Sequence, residues 1–230
     1  MDFVYLCKTG ENEELRYSIR SVLNSFPKAK IWVVGGKPKW YIGNYIEVVQ
    51  DRNLYTNIYN NLVAICKSNE ISNKFMLMND DFFIVNKVSK INYFYNGSLS
   101  EKITTYKEIT GSSPYITKLS DTNNRLRKHG VESPIDYEMH IPFPMEKDKL
   151  KKILDNDYKY LVRSMYGNLN SVGGKKIQDV KIYSHGSLME RSFDYENKNT
   201  NFLSTTDESF LKILGMLKEK FPNPSIFEGK

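Results

Sequence analysis

The sequence predicts an α/β protein built on an open, Rossmann-type mixed sheet that is mostly parallel and flanked by helices. Short apolar runs that fit strands alternate with amphipathic segments that fit helices through the first part of the chain. They follow the order β-α-β-β-α-β within about 80 residues, which is typical of such a sheet. The chain has 230 residues, 40% of them hydrophobic, and is long enough to bury its core.

Each early element has its own local signal. Leu15, Ile19 and Val22 recur at helical spacing behind acidic residues, which predicts a helix over 13–24. The apolar positions of residues 54–67 predict a second helix in the same way. The remaining apolar runs are short and predict buried strands, at 3–7, 30–35, 45–49 and 74–78.

Beyond residue 85 the sequence becomes more polar and predicts a smaller α/β half with longer loops. We expect one domain over residues 1–230, divided into halves at 1–90 and 91–230. Helices are predicted near 116–129, 146–155 and 158–166, and a C-terminal helix is predicted from Asp207. The stretch DYEMHIP alternates in polarity, so Asp136, Glu138 and His140 share one face if this stretch is a strand.

Composition limits the compartment and the partners. No apolar run approaches the roughly 20 residues of a membrane helix, so no membrane span is predicted. Only two cysteines are present, and the start MDFVYLCK lacks a signal-peptide pattern, so we expect a cytoplasmic protein. The net charge of +6 is spread along the chain and permits a polyanionic partner without demanding one. Nothing in the sequence indicates an oligomeric state.

Two adjacent acids stand out because hydrophobic residues flank them on both sides. Asp80 and Asp81 lie in FMLMNDDFFIV, directly after a predicted strand. Buried carboxylates need a partner, and Mg²⁺ or Mn²⁺ takes carboxylate and phosphate oxygens as ligands. Ligands bind outside the carboxyl ends of strands in such sheets, so this position favours a metal site. The alternative is that Asp80 caps a turn and Asp81 is solvated.

Several segments resemble a known group of enzymes. ELRYSIRSV (14–22), IWVVGGKPKW (31–40) and KFMLMNDDFFIV (74–85) are similar to the first conserved region of the Stealth proteins, which transfer sugar phosphates in capsule synthesis. They are more similar to small phage-encoded glycosyltransferases of the GT-A type. In the second half of the chain, three further stretches are similar to the phage group: DYEMHIPF (136–143), YGN (166–168) and FLSTTDESF to FPNPSIFE (202–228).

The resemblance implies a GT-A-like fold, with a nucleotide-sugar-binding half at 1–90 and an acceptor-side half at 91–230. It implies a nucleotide-diphosphate sugar donor, a Mn²⁺ or Mg²⁺ ion, and transfer of a hexosyl or pentosyl group to a hydroxyl. Asn79, Asp80 and Asp81 would fill the DXD motif. Asp81 would ligate the metal directly, and Asp80 would contact the metal or the ribose.

Basic and amide side chains are further candidates for donor binding. Lys8, Arg16 and Arg20 would reach a pyrophosphate or base through charge-assisted hydrogen bonds, or the arginines would only form an exposed helix face. Asn57 and Asn60 lie on one face of the second predicted helix and would contact the donor. The alternative for them is a polar, solvated face.

The stretch DYEMHIP supplies the candidates for acceptor activation. An inverting transfer needs a base within hydrogen-bonding reach of the acceptor hydroxyl, and Asp136 and Glu138 are the candidate bases. His140 would complete the metal sphere or bind phosphate, although a lone histidine between apolar residues is more often a core group.

Three hypotheses about function remain. The first is a metal-dependent glycosyltransferase acting on hydroxymethylated bases in phage DNA or on a surface glycan, with DNA favoured by the positive charge. The second is a Stealth-like sugar-phosphate transferase acting on a polysaccharide. The third is a non-catalytic module that binds nucleic acid or glycan through its basic and aromatic residues.

Overall fold

The structure is a computed structural model that describes residues 1–154, 160–183 and 201–229. It confirms the predicted α/β class, with a central mixed sheet flanked by helices. The strands of the described residues are β1 (Asp2–Cys7), β2 (Lys30–Gly35), β3 (Asn44–Glu47), β4 (Lys74–Asn79), β5 (Phe82–Ile84), β6 (Phe94–Tyr95), β7 (Phe143–Glu146), β8 (Lys175–Lys176) and β9 (Phe202–Ser204). The helices are α1 (Glu13–Ser25), α2 (Leu54–Lys67), α3 (Leu99–Thr110), α4 (Pro114–Lys128), α5 (Lys147–Leu154), α6 (Val162–Leu169) and α7 (Asp207–Lys220).

The central sheet has five strands in the order β3-β2-β1-β4-β7. The first four run parallel, and β7 pairs antiparallel with β4. After β1 the chain builds β2 and β3 on one side and then returns past β1 to form β4 on the other. The strand order therefore reverses between β1 and β4. Leu6 pairs with Asn79, so the carboxyl ends of these two strands lie level.

The predicted helices that border the sheet form where their apolar spacing places them. Helix α1 buries Leu15, Ile19 and Val22, as predicted. The Asn12 side chain caps it by accepting a hydrogen bond from the Leu15 N–H at 2.9 Å. Helix α2 has the predicted bounds, and α7 begins at Asp207 as predicted. Local signals were sufficient here because periodicity, caps and burial agree.

Two features of the chain differ from the prediction. Helix α3 was not predicted because its sequence LSEKITTYKEIT has weak apolar periodicity and three β-branched threonines. The stretch DYEMHIP (136–142) does not form the strand that would place its polar side chains on one face. Two of its N–H groups are bound locally instead, since the Asp136 carboxylate accepts from the Glu138 N–H at 3.0 Å and the Tyr137 carbonyl accepts from the Met139 N–H at 2.7 Å. The Tyr137 N–H donates to the Ser164 hydroxyl at 3.2 Å.

The chain divides into two compact units. The first contains the described residues of Met1–Ile91, His140–Lys147 and Val180–Lys230, and it includes the five-stranded sheet. The second contains those of Asn92–Met139 and Asp148–Asp179, with α3, α4 and α6. The expected nucleotide-sugar-binding half at 1–90 and acceptor-side half at 91–230 stay a prediction; the described part of Val180–Lys230 groups with the first unit.

A hydrophobic cluster in the first unit fixes the start of α1 near the start of α7. Tyr17 of α1, Phe83 of β5 and Phe210 of α7 are buried in this cluster with Leu203 and Ile213. Strand β5 pairs antiparallel with β9, with Phe82 opposite Ser204. Because β5 follows the acidic pair and β9 precedes α7, this packing brings both segments to the end of β4.

None of the helices in the described part of the chain combines the length and apolarity needed to cross a bilayer.

Candidate active site

The acidic pair lies at the point where the strand order of the sheet reverses. Asp80 and Asp81 directly follow β4, and Lys8 directly follows β1. Adjacent parallel strands that continue in opposite directions leave a crevice outside their carboxyl ends, and this crevice is where open α/β sheets bind ligands. The structure therefore places the pair where the sequence predicted it.

A cavity of about 730 Å³ opens at this crevice, within the first unit. Its lining combines the ends of β1 and β4 with the first turns of α1 and α7, and the lining is mainly polar. The charged residues lining it are Lys8, Glu11, Glu13, Glu14, Asp80, Asp81, Lys181, Asp207 and Glu208. Seven carboxylates thus face two ammonium groups among the described residues, so the lining favours a cationic ligand or a cation that accompanies an anion.

Asp80 is held by the residue that caps α1. The Asn12 Nδ2 donates to Asp80 Oδ2 at 2.6 Å, while the Asn12 Oδ1 accepts from the helix. Burial raises the pKa of Asp80, and the neighbouring charge of Asp81 raises it further. The orientation of this carboxylate is therefore set before any ligand binds, at an electrostatic cost that a bound cation would relieve.

Asp81 is held by two groups that come from far along the chain. Its Oδ2 accepts from Lys181 Nζ at 2.8 Å and from Ser204 Oγ at 2.9 Å. The side chains of Asp81 and Lys181 are 13% and 17% exposed. Lys181 is anchored beside Ser204 by a parallel bridge, and the Ile182 N–H donates to the Ser204 carbonyl at 2.8 Å. Asp81 therefore borders the cavity with its charge balanced by a lysine.

Glu14 adds a third carboxylate to this end of the cavity. Its Oε1 accepts from Thr205 Oγ1 at 2.8 Å. Burial is the main cause that raises the pKa of Glu14 to about 7, and the charges of Asp81, Asp80 and Asp207 act in the same direction. Glu14 therefore exchanges its proton near neutral pH.

The expected three-residue metal set is not assembled. Among residues 1–154, 160–183 and 201–229, no three His, Cys, Asp or Glu side chains are grouped to hold a metal ion, which corrects the set Asp80, Asp81 and His140. His140 instead packs edge-on against Phe82, with ring centres 6.2 Å apart. The two carboxylates still fit Mn²⁺ or Mg²⁺ as donors, because a Mg²⁺ ion at a phosphate site takes one or two carboxylates plus substrate phosphates and water.

Arg16 and Arg20 do not line the acidic cavity. Both bind Glu228 near the C-terminus, Arg16 through Nη1 at 2.9 Å and Arg20 through Nη2 at 2.6 Å. Arg16 also stacks on Trp40, with its guanidinium carbon 4.3 Å from the ring centre. This corrects their expected role in donor binding, because their guanidinium groups already satisfy a buried carboxylate.

The other donor candidates are placed differently. Lys8 is exposed and Asn79 is half-buried, and both line the cavity. Asn57 closes the turn before α2, accepting from the Asp51 N–H at 2.6 Å and donating to the Asp51 carbonyl at 2.9 Å. Asn60 is half-buried on α2, outside the cavity lining. The structure therefore keeps Lys8 and Asn79 at the site, and it corrects the expectation for Asn57 and Asn60.

The residues of DYEMHIP also separate. Asp136 is fully buried and pairs with Lys102 of the same unit at 2.9 Å, and burial raises its pKa against the opposing effect of Lys102. This placement contradicts its expected role as a base. Glu138 is half-buried and its Oε1 accepts from the Ser164 N–H at 2.8 Å, which caps α6. Without a strand, the three side chains do not share a face.

Several residues of the cavity lining or its supports, Glu14 among them, were missed by the sequence analysis. Asn12 has a sequence signal, since an asparagine directly before two glutamates and an amphipathic run is typical of an N-cap. Ser204 and Thr205 lie in FLSTTDESF, just before a predicted helix. Lys181 has no local signal, because its pairing with Asp81 spans 100 residues of chain.

Comparison with known proteins gives a limited result. No family model matches the chain, and no curated protein is similar to it in sequence. Among solved structures, a galactosyltransferase, LgtC, in complex with donor and acceptor sugar analogues is similar with a TM-score of 0.45 and 11% identity over 98% of each chain. An active-site mutant of LgtC is similar with a TM-score of 0.47, 11% identity and the same coverage. Similarity at this level does not assign an activity, and the resemblance to Stealth and phage proteins stays a prediction.

Proposed function

We propose that this chain is a metal-dependent glycosyltransferase that uses a nucleotide-diphosphate sugar as its donor. The observation that carries the proposal is the acidic pair Asp80 and Asp81 at the reversal point of the sheet, bordering a cavity of about 730 Å³. A volume of a few hundred Å³ or more suits a small-molecule ligand. A carboxylate-rich lining suits a diphosphate only when a divalent cation accompanies it.

The residues of the site have separate tasks in this proposal. Asp81 and Asp80 would hold the Mn²⁺ or Mg²⁺ ion, and Asn12 orients Asp80 by donating to its Oδ2 at 2.6 Å. Lys8 and Lys181 supply positive charge to the diphosphate. A bound divalent ion would neutralise the charge that develops on the leaving diphosphate. The bond from the sugar to the diphosphate breaks, the acceptor oxygen bonds to the sugar, and the acceptor proton passes to a base.

Glu138 stays the sequence-based prediction for that base; it does not line this cavity, and its carboxylate accepts from the Ser164 N–H within the second unit. The acceptor is proposed to be a hydroxyl on an anionic polymer, with hydroxymethylated DNA as the first candidate. The net charge of +6 supports this choice, since basic side chains give sequence-independent affinity for phosphates.

The proposal is tested by incubating the protein with Mn²⁺ and a panel of UDP-, GDP-, CDP- and dTDP-sugars, with and without hydroxymethylated DNA or a polysaccharide. Nucleoside diphosphate released in a Mn²⁺-dependent reaction supports glycosyl transfer. Release of nucleoside monophosphate identifies a sugar-phosphate transferase instead. Binding of DNA or glycan without release of either nucleotide identifies a non-catalytic module.

The variant Asp81→Asn tests the site within the same assay. We expect turnover to fall about 100-fold or more, because a direct metal ligand matters at least as much as the outer groups that orient such ligands. Asp121→Asn is the matched control, since Asp121 is an exposed aspartate of α4. Near wild-type turnover by Asp81→Asn with any active donor would contradict the metal assignment.

A further inference from the structure

The ion pair between Lys181 and Asp81 cannot stay unchanged when a divalent cation binds Asp81. The Lys181 ammonium lies 2.8 Å from Asp81 Oδ2, on the carboxylate that the proposed function assigns to the divalent cation. Two cations at one carboxylate repel each other strongly when little solvent screens them, and these side chains are only 13% and 17% exposed. A cation that binds Asp81 therefore competes with Lys181.

The local structure lets the side chain move while the backbone stays in place. The backbone of Lys181 is held beside Ser204 by the parallel bridge and by the Ile182 N–H, which donates to the Ser204 carbonyl. The Ser204 hydroxyl donates to the same Asp81 oxygen at 2.9 Å. Asp81 therefore keeps one hydrogen bond that fixes its orientation when Lys181 leaves.

The surroundings indicate where the displaced ammonium goes. Both Lys181 and Lys8 line the cavity, together with seven carboxylates. A diphosphate entering this lining needs positive charge beyond that of the metal, and an ammonium already at the cavity wall can supply it through charge-assisted hydrogen bonds.

From these observations, and resting on the proposed function, we propose that Lys181 is an exchangeable counterion. It neutralises Asp81 in the empty site, yields Asp81 to the divalent cation, and then binds the donor's diphosphate. Lys181 is thus a metal competitor before loading and a donor-binding residue afterwards. Metal and diphosphate binding are coupled because each favours the same position of this side chain.

The test measures Mn²⁺ affinity by electron paramagnetic resonance without nucleotide, and then UDP and GDP affinity at saturating Mn²⁺. We expect Lys181→Met to bind Mn²⁺ about tenfold more tightly than wild type. We expect it to bind UDP or GDP, whichever binds wild type more tightly, about tenfold more weakly. A tenfold change is the size expected of a hydrogen bond to a charged group. Lys181→Arg retains the charge and keeps Mn²⁺ affinity near that of wild type. Lys28→Met is the matched control, because Lys28 is an exposed lysine outside the cavity lining, and its Mn²⁺ affinity should stay at the wild-type value.

The outcomes separate this inference from the proposed function. Unchanged or weaker Mn²⁺ binding by a folded Lys181→Met overturns the exchange, and so does an equal gain in Lys28→Met. If Lys181→Met does not fold, a Mn²⁺ affinity of Lys181→Arg well above wild type overturns it. The absence of Mn²⁺ binding by every variant, with UDP or GDP present, overturns the metal site itself.

Discussion

The two ion pairs that Arg16 and Arg20 form with Glu228, called the Glu228 clamp below, give the sharpest prediction about stability. The Glu228 side chain is 3% exposed and lies between Arg16 and Arg20, which are 20% and 10% exposed. Burial alone would raise the pKa of Glu228, but hydrogen bonds from Arg20, the Ser225 N–H and Arg16 lower it to about 2, from an ordinary value of 4.5. The clamp therefore stabilises the charged carboxylate and ties the C-terminal segment to α1.

The magnitude follows from the shift. A pKa lowered from 4.5 to about 2 corresponds to about 3.4 kcal/mol at neutral pH, since one pKa unit is about 1.36 kcal/mol. Solvent screens the partly exposed arginines, so we expect Glu228→Gln to cost about 2 kcal/mol. For a chain of this length that is a drop of about 4–8 °C in Tm.

The assay is thermal unfolding of wild type, Glu228→Gln and a control, at pH 7 and at steps down to pH 2. Because the folded-state pKa is lowered, the stabilisation is fully present above pH 4.5 and is lost as the pH falls towards 2. The Tm difference should therefore shrink over that window. Glu13→Gln is the control, since Glu13 also pairs with Arg16 but is 56% exposed, and its loss should cost less than about 1 kcal/mol. Equal Tm values for the two variants at pH 7 would refute the reasoning.

Three other predictions address the remaining parts of the molecule. The raised pKa of Glu14 means that the folded state holds this proton more tightly than the unfolded state, so stability falls as the pH rises from 4.5 to about 7. In EDTA, Glu14→Gln should therefore make Tm less dependent on pH over that range. An unchanged pH dependence of Tm would contradict this role of Glu14. Gly36→Ala places a Cβ 2.4 Å from the Thr9 backbone nitrogen and should lower the free energy of unfolding, measured by chemical denaturation, by about 1–3 kcal/mol. Gly215→Ala on the exposed face of α7 should raise it by about 0.5–1 kcal/mol. The reverse order of stabilities would contradict the packing at Gly36. Glu138→Gln keeps the cap on α6 and should lower kcat more than it changes KM for the donor, while a rise in KM alone would identify a binding residue.

The parts of the fold that the sequence predicted are those set by local patterns. Strand β4 and helix α2 were identified because apolar runs and helical spacing reflect burial directly. The same argument placed Asp80 and Asp81 at a strand end. Helix α3 lacked the periodicity, yet Ser98 and Glu101 form a capping box that is visible in the sequence as an S-x-x-E pattern.

The parts that could not be predicted depend on partners far apart in sequence. Arg16 and Arg20 do share a helix face, as expected, but their partner Glu228 lies more than 200 residues away. The same holds for Lys181 and Asp81. The stretch 136–142 does not form a strand for a different reason, because the Asp136 carboxylate takes up a backbone N–H that a neighbouring strand would otherwise bind.

The most direct test of the account is a crystal structure of the protein soaked with Mn²⁺ and the nucleoside diphosphate that binds most tightly, with anomalous diffraction to locate the metal. We expect an anomalous peak within ligand distance of an Asp81 oxygen and of the diphosphate, with the Lys181 ammonium moved from Asp81 to a phosphate oxygen. A diphosphate bound without metal, or a metal away from Asp80 and Asp81, would contradict it.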